Sequence, residues 1–89
     1  MNKRWVNIFK AMANINRLKI IKMLSGGTNL SVTKIAEELE IAVKSTSKHL
    51  IILHNLNFLE SNGKKGHVFY GLNKNAPTDI KRAIKLFCQ

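Results

Sequence analysis

The chain has 89 residues, of which 45% are hydrophobic, and 15 lysines and arginines against 5 acidic residues give it a formal net charge of +10. This length fits one small domain, and the apolar fraction excludes a wholly disordered chain. So large a positive charge favours a polyanionic partner (DNA, RNA or an anionic membrane surface) over a protein that merely happens to be basic.

Cysteine content and apolar runs exclude two further classes of protein. The single cysteine, Cys88, cannot form an internal disulfide, so a disulfide-stapled extracellular scaffold is excluded. The basic N-terminal segment is interrupted by Asn7 and Lys10 and lacks the continuous apolar core of a signal peptide. No apolar run approaches the length that spans a membrane. We therefore expect an intracellular protein.

The N-terminal third of the chain predicts two amphipathic helices. In the first, residues 3–13, apolar side chains recur at helical spacing. These side chains are Trp5, Ile8, Phe9 and Met12. The second helix lies in NINRLKIIKMLSGG and is ended by Gly26 and Gly27. Its predicted inward-facing residues are Leu18, Ile21 and Leu24.

Two helices joined by a short turn are predicted next. The first lies in LSVTKIAEELE, where Ser31 is the predicted N-cap. Its predicted buried stripe is Val32, Ile35, Ala36 and Leu39. After a turn at residues 40–42, the second helix begins at Val43 and continues to about residue 56. Asn57 tolerates the left-handed conformation and is predicted to end this helix.

A β-hairpin and a last helix complete the predicted fold. Residues 59–61 and 67–72 have strand-like composition, and NGKKG between them supplies turn residues. The last helix, residues 77–87, begins near Pro77. Its apolar face is Ile80, Ile84 and Phe87. The predicted fold is mainly α with a small β-hairpin, in the order α-α-α-α-β-β-α, as one domain over residues 1–89.

Three segments, in order, carry a wider pattern: NINRLKII at residues 14–21, LSVTKIAEELEIAVKSTSKHLIIL at residues 30–53, and VFYGL at residues 68–72. Their counterparts DPTRLRIL, LSVGELAEALGLSQSTVSRHLKVL and the wing strand VYYRL belong to the ArsR/SmtB-type winged helix-turn-helix regulators. The chain resembles this family over nearly its whole length, and the ordered spacing makes the signal fairly specific. The resemblance implies a winged helix-turn-helix fold and dimerisation through the first and last helices.

The helix that begins at Val43 has two chemically different faces. Thr46, Leu50 and Leu53 point one way, and a stripe of Lys44, Ser47, Lys48 and Ile51 points the other way. Such a helix can bury one face in the domain while the other enters a major groove. A solvated helix face is the ordinary alternative, and the helix-turn-helix spacing and the net charge favour the groove. The predicted DNA-binding residues are Lys44, Ser45, Ser47, Lys48, Ile51, Lys64, Lys65 and His67.

Three residues depart from the family pattern. Ile51 stands where the family commonly has Lys, and it is an ordinary exposed apolar residue, a contact for a thymine methyl group, or a residue packed against the wing. Glu40 stands where the turn usually has Gly, and a left-handed Glu costs roughly 1 kcal/mol. Ala42 stands where Ser usually caps the helix, a loss that costs on the order of 1 kcal/mol.

The two terminal helices offer more apolar surface than a core of this size needs, so they are the predicted dimerisation elements. The predicted interface residues are Trp5, Ile8, Phe9, Met12, Ile80, Ile84 and Phe87. The alternative is that these side chains pack within one subunit.

No metal site, cofactor or catalytic constellation is predicted. The family's metal motif ELCVCDL aligns with NLSVTKI, so Ser31 and Thr33 replace the thiolates, and hydroxyl groups are poor ligands for soft metals. The family's second metal site uses Asp and His on the last helix, which here carries Asp79 but no His. We therefore expect a metal-independent protein that is not an enzyme.

The leading hypothesis is a dimeric, sequence-specific DNA-binding transcriptional regulator, most simply a repressor, in the cytoplasm with the nucleoid. Its expected partners are double-stranded DNA and a second copy of itself, and no membrane. The second hypothesis is a winged-helix protein-interaction module that does not read DNA. A third is membrane-surface association through the basic first helix, which carries Lys3, Arg4 and Lys10 beside Trp5 and Phe9.

Overall fold

Five helices and three short strands form the fold, and the computed structural model describes residues 2–88. The elements in chain order are α1 (Lys3–Met12), α2 (Ile15–Leu24), β1 (Leu30–Ser31), α3 (Val32–Leu39), α4 (Val43–Asn55), β2 (Leu59–Lys64), β3 (His67–Leu72) and α5 (Thr78–Phe87). The predicted order of helices and hairpin strands is confirmed, and β1 is an additional element.

Side-chain oxygens cap the first three helices. The Asn2 side chain accepts from the backbone N–H of Arg4 at 2.9 Å, and the Asn14 side chain accepts from that of Asn16 at 3.0 Å. The Ser31 hydroxyl accepts from the backbone N–H of Lys34 at 3.1 Å, which confirms the predicted cap. Each cap satisfies an N–H group that has no partner inside its helix.

One apolar core receives side chains from all five helices and from the segment that follows α4. Its completely buried large apolar residues are Phe58, Ile8, Ile20, Ile21, Leu24, Ile35, Leu50, Leu53 and Ile80. On α2 the prediction was partly wrong, because Leu18 is only half-buried and Ile20 is completely buried. The helix contacts α1, α3, α4 and β3, so its buried surface is wider than a single stripe.

The three strands form an antiparallel sheet in the order β1-β3-β2. Leu30 pairs with Tyr70, and Ser31 pairs with Phe69. Since α3 begins at the residue after β1, this pairing joins the start of α3 directly to the hairpin.

The hairpin is longer and its turn tighter than predicted. β2 extends to Lys64, which pairs with His67, so the turn contains only Lys65 and Gly66. These two residues have φ values of 51° and 78°, the pair of positive angles that a type I′ hairpin turn requires. Residues 62 and 63, predicted as part of the turn, lie in β2, where they pair with Phe69 and Val68.

Candidate nucleic-acid interface

The turn between α3 and α4 carries the two departures that the sequence indicated. Glu40 adopts the left-handed conformation, with φ 57° and ψ 41°. Ala42 precedes α4 in an extended conformation and provides no side-chain cap. The buried Thr46 hydroxyl donates to the carbonyl oxygen of Ala42 at 3.0 Å and so fastens the first turn of the helix from inside.

Helix α4 turns one face to the core and the other to solvent. Thr46, Leu50 and Leu53 are completely buried, as their spacing predicted. On the opposite side Lys44, Ser45, Lys48 and Ile51 are exposed, and Ser47 is half-buried. Ile51 leaves 54% of its surface open to solvent. Two further apolar residues of α4 that the sequence did not single out, Val43 and Ile52, are also exposed.

The distal half of the hairpin, which is the wing, stands clear of the core. Every residue from position 61 to position 68 is exposed, including Lys64, Lys65 and His67. At its base Tyr70 is half-buried and lies nearly perpendicular to the His54 ring, with an interplanar angle of 87° and the ring centroids 6.3 Å apart. The wing is therefore anchored at its base and open along its tip.

Lysines on α4 and the wing carry charge that no acidic neighbour neutralises. Within residues 2–88, no carboxylate lies within 4.0 Å of the ammonium groups of Lys44, Lys48, Lys64 or Lys65. The nearby acidic helix α3 instead pairs with its own Lys34, whose ammonium lies 3.2 Å from Glu38. The four lysines can therefore attract phosphate groups.

A contact behind α4 was not predicted from the sequence. Arg17, the arginine of NINRLKII, places its Nη1 atom 3.1 Å from Nδ1 of His49. Burial and, to a smaller extent, the Arg17 charge lower the pKa of His49. Both residues lie inside the segments that resemble the family. Apart from that resemblance, nothing in the sequence pointed to a contact between them.

The predicted dimer residues divide into two groups. Ile8 and Ile80 are completely buried in the core of their own subunit, so neither has surface left for a partner. Trp5, Met12, Ile84 and Phe87 are half-buried. Phe9 on α1 is 63% exposed, and Leu86 on α5, which the sequence reasoning missed, is 77% exposed. Ile8 and Ile80 thus pack within their own subunit. The assignment of the other five residues to a dimer interface stays a prediction.

An ion pair joins the two terminal helices. The Arg4 guanidinium donates to Asp79 through Nε at 2.6 Å and through Nη2 at 3.3 Å. The backbone N–H of Ile80 donates to the same carboxylate at 2.8 Å. The hydrogen bond from Arg4 is the main cause that holds the pKa of Asp79 below its ordinary value, and burial opposes it.

Within residues 2–88, no group of three or more His, Cys, Asp or Glu side chains lies close enough together to hold a metal ion. Ser31 uses its hydroxyl as the cap of α3. Burial raises the pKa of the Cys88 thiol, and the nearby Lys22 opposes that shift. In the same part of the chain, no helix has both the length and the apolar character needed to cross a membrane.

The known proteins that are similar to this chain are regulators of transcription. Residues 14–61 match the model of the family described as bacterial regulatory protein, arsR family. The transcriptional repressor SdpR of Bacillus subtilis is 36% identical over 67 residues, which are 75% of this chain and 73% of SdpR. The transcriptional activator HlyU of Vibrio cholerae is 34% identical over 88 residues, which are 94% of this chain and 78% of HlyU.

Two solved structures support the same assignment. The structure of HlyU from Vibrio cholerae covers 98% of this chain and 95% of its own, at 33% identity and a TM-score of 0.78. The homodimeric winged helix-turn-helix DNA-binding domain Mb0332 of Mycobacterium bovis covers 94% of this chain and 74% of its own, at 25% identity and a TM-score of 0.78. The chain belongs to the arsR family of bacterial regulatory proteins.

Proposed function

We propose that this protein is a DNA-binding transcriptional regulator that reads sequence with α4 and works as a homodimer. The observation that carries the proposal is the division of α4 into two faces. Its core side is completely buried at Thr46, Leu50 and Leu53, while Lys44 and Lys48 stand exposed on the other side. A helix held in this way presents a fixed polar face, which is what insertion into a major groove requires.

On α4, base reading is assigned to Lys44, Ser47 and Lys48. Lysine can donate to the N7 and O6 atoms of guanine, and serine can donate to or accept from several bases. Because Ala42 provides no side-chain cap, N–H groups at the start of α4 remain available to a phosphate. Ser45 is exposed on this first turn and is assigned to the same backbone contact.

On the wing, Lys64, Lys65 and His67 are assigned to the DNA backbone. All three are exposed at or beside the two-residue turn. A narrow hairpin tip of this kind can approach a phosphate closely, and lysine contacts phosphate as a point charge without reading the base. The wing would then supply affinity, and α4 would supply sequence preference.

The homodimer is proposed to form through α1 and α5. Phe9 and Leu86, one on each of these helices, are large apolar residues that are exposed to solvent. Removing such surfaces from water is favourable. The similar domain from Mycobacterium bovis is homodimeric by its own description. Two-fold symmetry would present two copies of α4 to two half-sites of an operator.

Repression by occlusion of a promoter is the proposed action. The similar proteins differ on this point, because SdpR is a transcriptional repressor and HlyU a transcriptional activator. We also propose that the chain acts as one domain over residues 1–89, without a metal and without catalytic activity, in the cytoplasm with the nucleoid.

The second candidate is a protein-interaction module that does not read DNA. The exposed apolar residues Val43, Ile51 and Ile52 on α4 favour it, since protein interfaces are richer in such residues at their centres. The four exposed lysines of α4 and the wing argue against it, since charged residues are depleted at the centres of protein interfaces. Membrane-surface binding through α1 is weakened because its Ile8 and Ala11 are buried in the core.

Selection of bound duplexes from a random library tests the proposal most directly. We expect an enriched motif with two related half-sites. Alanine at Lys44, Ser47 or Lys48 should then weaken binding to that motif by roughly 1–3 kcal/mol for each true base contact, and weaken binding to unrelated DNA less. If no motif is enriched and the Lys44 and Lys48 substitutions change nothing, the interaction-module candidate takes the place of the regulator. Co-sedimentation with liposomes would instead support the membrane candidate.

A further inference from the structure

Three helices meet at the guanidinium group of Arg17, which is on α2. At the C-terminal end of α1, the Nε atom donates to the carbonyl oxygen of Ala11 at 2.7 Å, and Nη2 donates to that of Lys10 at 3.3 Å. The remaining nitrogen, Nη1, lies 3.1 Å from Nδ1 of His49 on α4. One side chain therefore connects the end of α1 to the helix that carries the groove-facing residues.

The contact between Arg17 and His49 has only one workable protonation state. A guanidinium group has donors and no acceptor, so Nδ1 of His49 must be the acceptor and carries no proton. A protonated imidazole carries hydrogens on both nitrogens and a positive charge, so it would repel Arg17 instead of accepting from it. The link to α4 thus exists only while His49 is neutral.

The surroundings of His49 reinforce the neutral form. In the described part of the chain, Arg17 is the only charged group that shifts the pKa of His49, and it acts in the same direction as burial. The adjoining crevice between α1, α2 and α4 is lined by Arg17 and Lys10, the uncharged Asn7 and Asn55, and apolar side chains. Its ionisable lining groups are cationic, and a cation beside an imidazole opposes protonation.

We propose that Arg17 is a positioning residue, which fixes α4 against α1 by donating to neutral His49, so that operator binding weakens when His49 becomes protonated. The inference rests on the proposed function, because operator binding is the property that it modulates. Helix α1 also carries the exposed Phe9, so the same link relates the proposed dimer surface to the DNA-reading face.

Replacement of His49 by Asn separates positioning from simple packing. The Asn side-chain oxygen is bonded to Cγ, as Nδ1 of His49 is, and it can accept from Arg17 at any pH, whereas His49 accepts only when neutral. Because the pKa of His49 is lowered, affinity for the selected duplex is measured by fluorescence anisotropy at about pH 8 and at about pH 4.5, well below the ordinary histidine pKa. At the higher pH, we expect His49→Asn to bind like the wild type. At the lower pH, the wild type should bind roughly 5- to 30-fold more weakly than the variant.

His54 and His67 are present in both proteins, so the effect of their protonation cancels in this comparison. Lys10→Ala is the matched control for the crevice, because it removes a lining cation but keeps the carbonyl group that Arg17 contacts. Its ratio of affinities at the two pH values should equal that of the wild type.

Arg17→Lys tests the other end of the link at constant charge. A lysine ammonium lacks the planar fork that lets one guanidinium reach α1 and His49 together. At about pH 8, we expect this variant to lose roughly 5- to 30-fold in affinity for the selected duplex while the salt dependence of its binding to unrelated DNA stays unchanged. Circular dichroism establishes that each variant is folded.

The inference is overturned if His49→Asn and the wild type lose affinity equally on acidification, whatever Arg17→Lys does. It is also overturned if a folded Arg17→Lys binds the selected duplex like the wild type. A wild-type protein that prefers no duplex at either pH would reject the proposed function itself, and the inference with it.

Discussion

At the scale of single residues, the turn between α3 and α4 stores strain in Glu40. Its left-handed backbone, with φ 57°, brings Cβ close to the following carbonyl oxygen, which costs an L-residue other than glycine roughly 1–2 kcal/mol. The same conformation directs the chain into α4, so the fold retains this backbone geometry although it lowers the free energy of unfolding. The side chain itself is exposed and takes part in no ion pair within residues 2–88.

Glu40→Gly should therefore stabilise the protein. Glycine removes the Cβ clash but loses more backbone entropy on folding, so we expect a net gain of about 0.5–1 kcal/mol in the free energy of unfolding. Urea denaturation followed by circular dichroism measures it. Glu37→Gly, inside α3, is the matched control and should destabilise by about 1 kcal/mol. A loss of stability in Glu40→Gly would contradict the strain assigned to this residue.

Ile51 distinguishes a base contact from an ordinary exposed side chain. If it touches a thymine methyl group, Ile51→Ala should weaken binding to the preferred duplex, and replacement of that thymine by uracil should weaken wild-type binding by a similar amount. The two changes together should cost little more than either one, because they remove the same contact. Ile52→Ala, at the neighbouring exposed position, is the control. Unchanged affinity in both single tests would leave Ile51 a plain surface residue.

At the scale of elements, periodicity allowed most helices to be predicted but could not define the sheet. Helices of eight or more residues repeat their apolar spacing at least twice, whereas β1 has two residues and shows no alternation. The hairpin turn was misplaced because Asn62 and Gly63 have turn chemistry of their own. The contact from Arg17 to His49 joins residues 32 positions apart, a separation at which local patterns carry no information.

The wing should contribute affinity without sequence preference. Replacing Lys64 and Lys65 by Ala should weaken binding to all duplexes alike, because phosphates are the same at every base pair. For each lost phosphate contact, the slope of log affinity against log salt concentration should fall in magnitude by about 0.9. Lys19 on α2 and Lys74, which follows β3, are both exposed and provide a control with the same loss of charge outside α4, the wing and the two terminal helices. If both double variants change the slope equally, net charge and not wing contact explains the effect.

At the scale of the whole molecule, the ion pair of Arg4 and Asp79 holds the N-terminal ends of α1 and α5 together. Because the pKa of Asp79 is lowered on folding, its contribution to stability is complete above the ordinary aspartate pKa near 3.9. The contribution is lost as the pH falls through the lowered value in the folded protein. At neutral pH, we therefore expect the wild type to unfold at a higher urea concentration than Asp79→Asn. In strong acid, the two proteins should unfold at the same urea concentration. A difference that persists undiminished in strong acid would refute the ionic origin.

The dimer is tested by light scattering at micromolar concentration. We expect about twice the chain mass of 10.1 kDa for the wild type. Phe9→Glu should give a monomer, because it places a charge in an apolar interface. Ile15→Glu is the matched control, since Ile15 is 64% exposed, close to the value for Phe9, but lies on α2. A fully folded wild-type monomer at this concentration would remove the basis for two half-sites.

The short ladder between β1 and β3 has a consequence for the DNA that this protein can use. Ser31 ends β1 and caps α3, and it pairs with Phe69 in the wing, so helix-turn-helix and wing share one hydrogen-bonded frame. Within a subunit the distance between the helix-turn-helix and the wing is therefore fixed. Because phosphates are the same at every base pair, the base sequence beneath the wing should not matter, but duplex must be present there at a fixed distance from the bases read by α4. Trimming a synthetic duplex inside that distance should therefore weaken binding, whereas substitutions in the same stretch should not.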